Sequence, residues 1–378
     1  MGMERKAREK WRTALHDGNM LARLALLFAI VAAGVIADDR KEVDVAAGSA
    51  WVDTGVEVKP GDTLNISATG TIAYQANNST PDGLARGWKD LLAQFPVNSS
   101  GKGALVGRFG DSPAARAFLV GTQLERTAPI AARLFLSINE MASMPGSGSY
   151  HVVIRRTDAP VSPSSALATV VPMTQSMLDR IPTRVNDAMG DFGDRVNFIL
   201  VGSEETVKSA LNDAGWVVVD KTDKEAILHG LIASLSKESY VTLPMSPLEL
   251  FGRVQDYGYA QGDPLKVAAS RHHFRLWRCP FTVGGETVWA GAGTHDIGFD
   301  RDERNNRITH KIDPATDLER DYIGESLRQT GLVVKEEYLS PTHPVLGAKT
   351  ATGSGFTSDG RTLIVYLRSG GGAMSSAY

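Results

Sequence analysis

From Gly55 to Ile72 the chain alternates with a period of two: Val56, Val58, Leu64, Ile66, Ala68 and Ile72 are apolar, separated by polar or small residues. Successive side chains of a strand point to opposite faces, so this pattern buries one face and wets the other. Pro60-Gly61-Asp62 supplies the turn between the two runs, proline fixing φ and glycine accepting positive φ. Short alternating segments punctuated by turn residues continue, with strands expected at 103–109, 118–120, 134–139 and 149–155. This spacing predicts an all-β sandwich over residues 43–156.

The 378-residue chain has room for more than one ordinary domain, and its 42% hydrophobic and 22% charged composition is that of a folded protein. Residues 157–168 are rich in Pro, Ser and Ala and lack either periodicity, so 157–190 reads as a linker with a short helix. A second domain is expected over 191–340, followed by a tail, 341–378, able to add a final strand. It opens with a buried strand at 196–202 that runs into a helix at 204–214. Ser203 is placed as N-cap, Glu204 and Glu205 complement the helix dipole, and Gly215 ends the helix. The fold class is therefore multidomain: an N-terminal sandwich, then an α/β or α+β domain with a mainly antiparallel sheet.

Residues 1–40 differ from the rest. Arg5, Lys6, Arg8, Lys10, Arg12 and Arg23 precede an unbroken apolar run from Leu24 to Ala37. That run is shorter than the ~20 residues needed to cross a bilayer, which suits a signal peptide cleaved after Val35-Ile36-Ala37. With Arg23 snorkelling, 20–37 can instead serve as an uncleaved signal anchor. Either way the bulk of the chain is expected across the membrane, in the cell envelope or beyond it. Without those six basic residues the remainder is acidic, and no nucleic-acid footprint is left. The single cysteine, Cys279, excludes an intramolecular disulfide and reads as buried and inert.

The most informative polar feature is a region in which His272 to His310 hold four of the eight histidines and which also holds Asp296, Asp313, Asp317, Glu319 and Asp321. Residues 271–283 and 286–298 read as two strands joined at Gly284-Gly285. Pairing Val283 with Glu286 sets His273 opposite Asp296, Arg275 opposite Thr294, and His295 diagonal to His272. A carboxylate orients an adjacent imidazole and favours its charged form, which suits a general base. The segment Ile308-Thr-His-Lys-Ile-Asp-Pro314 brings His310 and Asp313 towards the same rim. His273, Asp296, His310 and Asp313 are thus the candidate catalytic set, with Arg275 or Arg253 available to an anionic group. The same residues also suit structural roles as a cross-strand pair and as turn and cap residues. The nucleophile-elbow, zinc-helix and paired-cysteine motifs are absent. Tryptophans 51, 88, 216, 277 and 289 are candidate sugar platforms, although aromatic residues at strand period are commonly core.

Two resemblances add to this. Pro60-Gly61-Asp62, Ala68-Thr-Gly-Thr-Ile-Ala-Tyr74, Pro81-Asp82-Gly83, Gly103-Ala-Leu-Val-Gly-Arg-Phe-Gly110 and Leu136-Ser-Ile-Asn-Glu140 leading into Gly148-Ser-Tyr150 resemble the family of the galactophilic lectin A, a calcium-dependent β-sandwich. That resemblance implies calcium near Tyr74 and Glu140, and a glycan or other envelope component near Trp88 as partner. The loop from Glu140 to Tyr150 is shorter than the family's and lacks its paired asparagines. Phe198-Ile-Leu-Val-Gly-Ser203, Pro244-Met-Ser-Pro-Leu-Glu-Leu-Phe-Gly-Arg253, Arg271-His-His-Phe-Arg-Leu-Trp277, Val288-Trp-Ala-Gly-Ala-Gly-Thr-His-Asp296 and His310-Lys-Ile-Asp-Pro314 resemble the LssY C-terminal family, which implies no settled reaction. The leading expectation is an exported binding protein that recognises a carbohydrate through its sandwich. The alternative is a hydrolase, metal-assisted or not, with a His/Asp site in the second domain.

Overall fold

The computed structural model describes residues 39–85, 95–141, 143–160, 170–219, 245–262, 271–306 and 308–368. Trp88 and most of the expected export segment lie outside the described residues. Among the described residues no helix is long and apolar enough to cross a membrane.

The first part of the chain is all β: β1 (Asp39–Ala46), β2 (Val52–Val58), β3 (Thr63–Ala73), β4 (Asn78–Ser79), β5 (Leu105–Phe109), β6 (Phe118–Leu119), β7 (Gln123–Thr127), β8 (Ala132–Ile138) and β9 (Ser147–Thr157). One sheet runs β1-β9-β3-β4, with β7 also paired to β3; the other runs β2-β8-β5-β6. The alternating residues Val56, Val58, Leu64, Ile66, Ala68 and Ile72 all face one core, which they share with Leu105, Leu134, Leu136, Tyr150 and Val152. Two sheets, each with one apolar face, bury those faces against each other, which is what the period of two requires.

The second part is α+β. After α1 (Gln175–Leu178) come β10 (Arg184–Asn186), β11 (Phe192–Arg195), β12 (Phe198–Val201), α2 (Glu204–Asp213), β13 (Val217–Val218), β14 (Glu249–Leu250), β15 (Arg253–Val254) and β16 (Tyr257–Gly262). Then follow β17 (Arg271–Val283), β18 (Glu286–Arg301), β19 (Ile308–Ile312), α3 (Thr316–Arg328), β20 (Val333–Leu339), β21 (Gly347–Lys349), β22 (Gly355–Thr357) and β23 (Thr362–Leu367). The large sheet has the order β13-β16-β17-β18-β12-β23-β20, with β19 added along β18. It is antiparallel except where β12 and β23 run parallel. Strand β23 therefore sits inside the sheet, fully buried, and is part of the domain rather than of a tail.

The sheet has two apolar faces. On one, Trp277, Val288, Ala290 and Ala292 pack with Val185, Leu248 and Leu250. On the other, Phe198, Phe274, Leu276 and Trp289 pack with Val207 and Leu211 of α2 and with Ile323 and Leu327 of α3. Trp216, Trp277 and Trp289 are buried in these cores and are not exposed sugar platforms. Each such ring contributes roughly 1.5–3 kcal/mol by leaving water. Ser203 caps α2 as expected, accepting from the Thr206 amide, and Gly215 follows the helix at φ +86°.

The β17–β18 hairpin turns at Gly284 and Gly285, both at positive φ, as a two-residue turn demands. Next to the turn, Val283 faces Glu286 as expected. Between Arg278 and Thr282 the register shifts, and beyond it Arg271 faces Asp296, His272 faces His295, His273 faces Thr294 and Arg275 faces Ala292. The expected pairing is thus displaced by two residues. Pro280, which has no amide hydrogen to give to the ladder, lies inside the irregular stretch. A two-residue slip leaves every side chain on its original face, so His273 and Asp296 remain neighbours diagonally.

Candidate functional site

The far end of the β17–β18 hairpin carries ionisable groups on both faces. On the face opposite α2 and α3, one oxygen of Asp296 is approached by three nitrogens: Arg271 Nε at 3.2 Å, His310 Nδ1 at 3.5 Å and His273 Nδ1 at 3.6 Å. Strand β18 supplies the carboxylate, β17 the arginine and one imidazole, and β19 the other imidazole. Asp296 is 0% exposed, and its second oxygen, Oδ1, has no hydrogen-bond partner. Burial pushes its pKa up to about 6, against the opposing pull of Arg271. Burial and the neighbouring arginine pull His310 down to about 4, and burial takes His273 well below the usual imidazole range. At neutral pH the cluster therefore holds a carboxylate, a guanidinium and two neutral imidazoles. Only His310 opens to solvent, its side chain 34% exposed; His273 Nε2 is bonded to Thr294 Oγ1 at 2.9 Å.

Three of the four expected catalytic residues therefore converge, and Asp313 does not. Its carboxylate accepts from the Ala315 amide at the start of α3 and lies near Glu319, on the other face. Arg275 is buried on the same face as Asp296 but pairs with Asp194 at 3.5 Å and donates to the Ser246 carbonyl. Arg253 is separate: it grips both Asp256 oxygens at 2.8 Å and donates to the Arg278 carbonyl, so it tethers β15 to β17. Cys279 is buried and its thiol is pushed up to about 12, which removes it as a nucleophile.

On the helix-side face the cross-strand pair is His272 and His295, their rings stacked at 4.3 Å. Tyr322 of α3 stacks on the other side of His272 at 3.8 Å, and Glu319 Oε2 lies 2.6 Å from His272 Nδ1. Helix α3 comes this close because Gly293 leaves room, a Cβ there meeting Ile323 Cδ1 at 2.5 Å, while Gly291 makes room for Phe198 of β12, whose Cζ a Cβ would meet at 2.2 Å. Sequence reasoning named His272 and His295 and counted Glu319 among the nearby acidic residues, but did not pair it with His272. The available signal was its place four residues before Ile323 and eight before Leu327, an acidic side chain within the buried stripe of an amphipathic helix.

Residues 178–362 match the family model described as LssY C-terminus. The LssY C-terminal match takes in every residue of both clusters, and the sandwich lies outside it. Among curated proteins none matches the chain. A solved structure described as the EclA N-terminal domain, a PllA-like lectin, aligns at 20% identity over 31% of this chain and 95% of its own, with a TM-score of 0.25. At that score the likeness bears no weight, and the sandwich rests on its own strand pairing.

Outside the LssY C-terminal match, Tyr74 and Glu140 meet, but as a loop fastening. Glu140 accepts from Gly48 N at 2.6 Å, Gly146 N at 2.9 Å and Tyr74 Oη at 2.8 Å. Both carboxylate oxygens are engaged by donors, whereas calcium requires six to eight oxygens turned towards it. The expected calcium role does not fit this geometry. The outward face of the β2-β8-β5 sheet is different in kind. Asp53, Phe135 and Arg108 are direct neighbours across it, with Trp51 beside them. The Arg108 guanidinium lies 4.5 Å from the Trp51 ring centre and 5.6 Å from that of Phe135. Arg133 bridges Asp53 and Glu57 at 2.8 and 3.1 Å along the same strip.

Proposed function

We propose that the chain is a carbohydrate-binding protein of the cell envelope, with the sandwich as its recognition module and binding that does not depend on calcium. The observation that carries this reading is the half-buried pair Trp51 and Phe135 on an outward sheet face, flanked by Arg108, Arg133, Asp53 and Glu57. An aromatic face accepts the C–H side of a sugar ring, and charged groups at its edge bond the hydroxyls. The sequence resemblance to galactophilic lectin A supports the same substrate class, while the closed Glu140 carboxylate argues against that family's calcium. Export and envelope association rest on the basic segment and apolar run of residues 1–37; cell fractionation and protease accessibility of the tagged chain test them, and cytoplasmic recovery counts against them. A glycan array probed with the full chain, with calcium and with chelator, tests recognition. Binding is expected in both conditions; no glycan in either, or binding only with calcium, contradicts the proposal.

A second reading applies to the LssY C-terminal match: a hydrolytic acid–base site in which Asp296 orients His310. Its motivation is an imidazole open to solvent with a buried carboxylate behind it. Activated esters and phosphate esters are suitable probes. Turnover is expected to fall at least ~100-fold in His310→Ala and to decline as acid protonates Asp296 near pH 6; turnover unchanged by the substitution removes this reading.

A further inference from the structure

We infer that His272, His295 and Glu319 form a binding site for one divalent transition-metal ion of the zinc class. Each offers a donor atom, and these atoms lie within 4.8 Å of one another. Independently, Glu319 is 3% exposed and its Oε1 has no hydrogen-bond partner. An unmet buried acceptor costs ~1–3 kcal/mol, which a ligand at Glu319 Oε1 would offset. A cation supplies the missing partner.

The chemistry of the donor set narrows the ion. Two imidazole nitrogens and one carboxylate oxygen suit zinc and its first-row neighbours, whereas calcium and magnesium prefer all-oxygen shells. Three protein ligands leave a coordination position for water. The site closes around the ion rather than standing ready for it. Tetrahedral bonds of ~2.0–2.1 Å set donors ~3.4 Å apart, so separations of up to 4.8 Å shorten while His272 Nδ1 and Glu319 Oε2, now 2.6 Å apart, must part. The stacked rings must also turn about their Cβ–Cγ bonds so that their lone pairs converge. For a neutral imidazole, the hydrogen between His272 Nδ1 and Glu319 Oε2 passes to water while Nε2 takes one from water, so the ring changes tautomer and Nδ1 and Oε2 bond the ion with no net change in protons. The hairpin holds the imidazoles opposite each other, and α3 brings the carboxylate.

The test uses the full chain, stripped with chelator and titrated separately with zinc and cobalt chloride, bound metal being counted by elemental analysis. Roughly one ion per chain is expected, with visible ligand-field absorption for cobalt and an increase in Tm on zinc addition. Glu319→Gln and His295→Ala should each lose the ion, while His151→Ala, which removes an exposed imidazole beside Asp44, should retain it. In the unmodified chain, zinc should also shift the imidazole resonances of His272 and His295, a readout that stands even where a variant fails to fold. No ion in the unmodified chain, undisturbed His272 and His295 resonances, or binding that survives both substitutions overturns the inference. Glycan binding by the sandwich is a separate measurement in a separate domain, so either result can fail without the other.

Discussion

Three nitrogens crowd one oxygen of Asp296 while the other oxygen has no partner, and holding a charge in such a place has a cost. A carboxylate with an ordinary pKa of 3.8 when unfolded and about 6 when folded binds more protons in the native state between those values. Stability from this residue is therefore present at low pH and is lost as pH rises through about 4 to about 6. Urea unfolding of the native chain and of Asp296→Asn, which cannot titrate, should show the balance moving towards the variant by up to about 3 kcal/mol between acid and neutral pH. A gap that stays constant contradicts the assignment. Individual chemical roles were partly legible: a lone cysteine before proline, a serine before two glutamates, and His273, His310 and Asp296 on facing strands. Glu319 was not, because its meeting with His272 depends on how far α3 sinks into the sheet. Nor was the engagement of Glu140, whose donors Gly48 and Tyr74 come from distant parts of the chain.

At the scale of elements, the β17–β18 hairpin decides what meets what. Its turn followed from Gly284-Gly285 and β17 coincides with the expected 271–283, whereas β18 runs on to Arg301, past the expected 298. The two-residue slip near Pro280 did not follow, since a local irregularity in a ladder depends on packing against both cores. Its effect is specific: it replaces a direct His273–Asp296 pair with Arg271–Asp296 and sets His272 squarely against His295. The small residues Ala290, Gly291, Ala292 and Gly293 then decide how close the neighbouring elements come. Gly291→Ala places a methyl within the ring of Phe198 and should cost about 1–3 kcal/mol in urea unfolding. A neutral result means that Phe198 can move away and that its packing over Gly291 is looser than described. Strand β23 was the larger surprise at this scale. Residues 362–367 could be seen as a strand, but its parallel place beside β12 is set by long-range pairing that local periodicity does not encode.

For the whole molecule, the division into an all-β part and a mixed part was readable because period two dominates one and strand–helix alternation enters the other. The sandwich buries the faces that its sequence marks as apolar, and the faces left outside become the candidates for recognition. The outward strip of Trp51, Phe135 and Arg108 was only half legible: Trp51 stood out as a tryptophan, but its partners come from β8 and β5. Carbohydrate recognition by this strip is the central claim, and calorimetric titration of an array-selected glycan into three versions of the full chain tests it most directly. The account predicts that Trp51→Ala weakens binding at least ~10-fold, as loss of a stacking ring worth ~1.4 kcal/mol or more requires, while Trp51→Phe stays close to the native chain. Equal affinity in all three, with the fold intact, would contradict it.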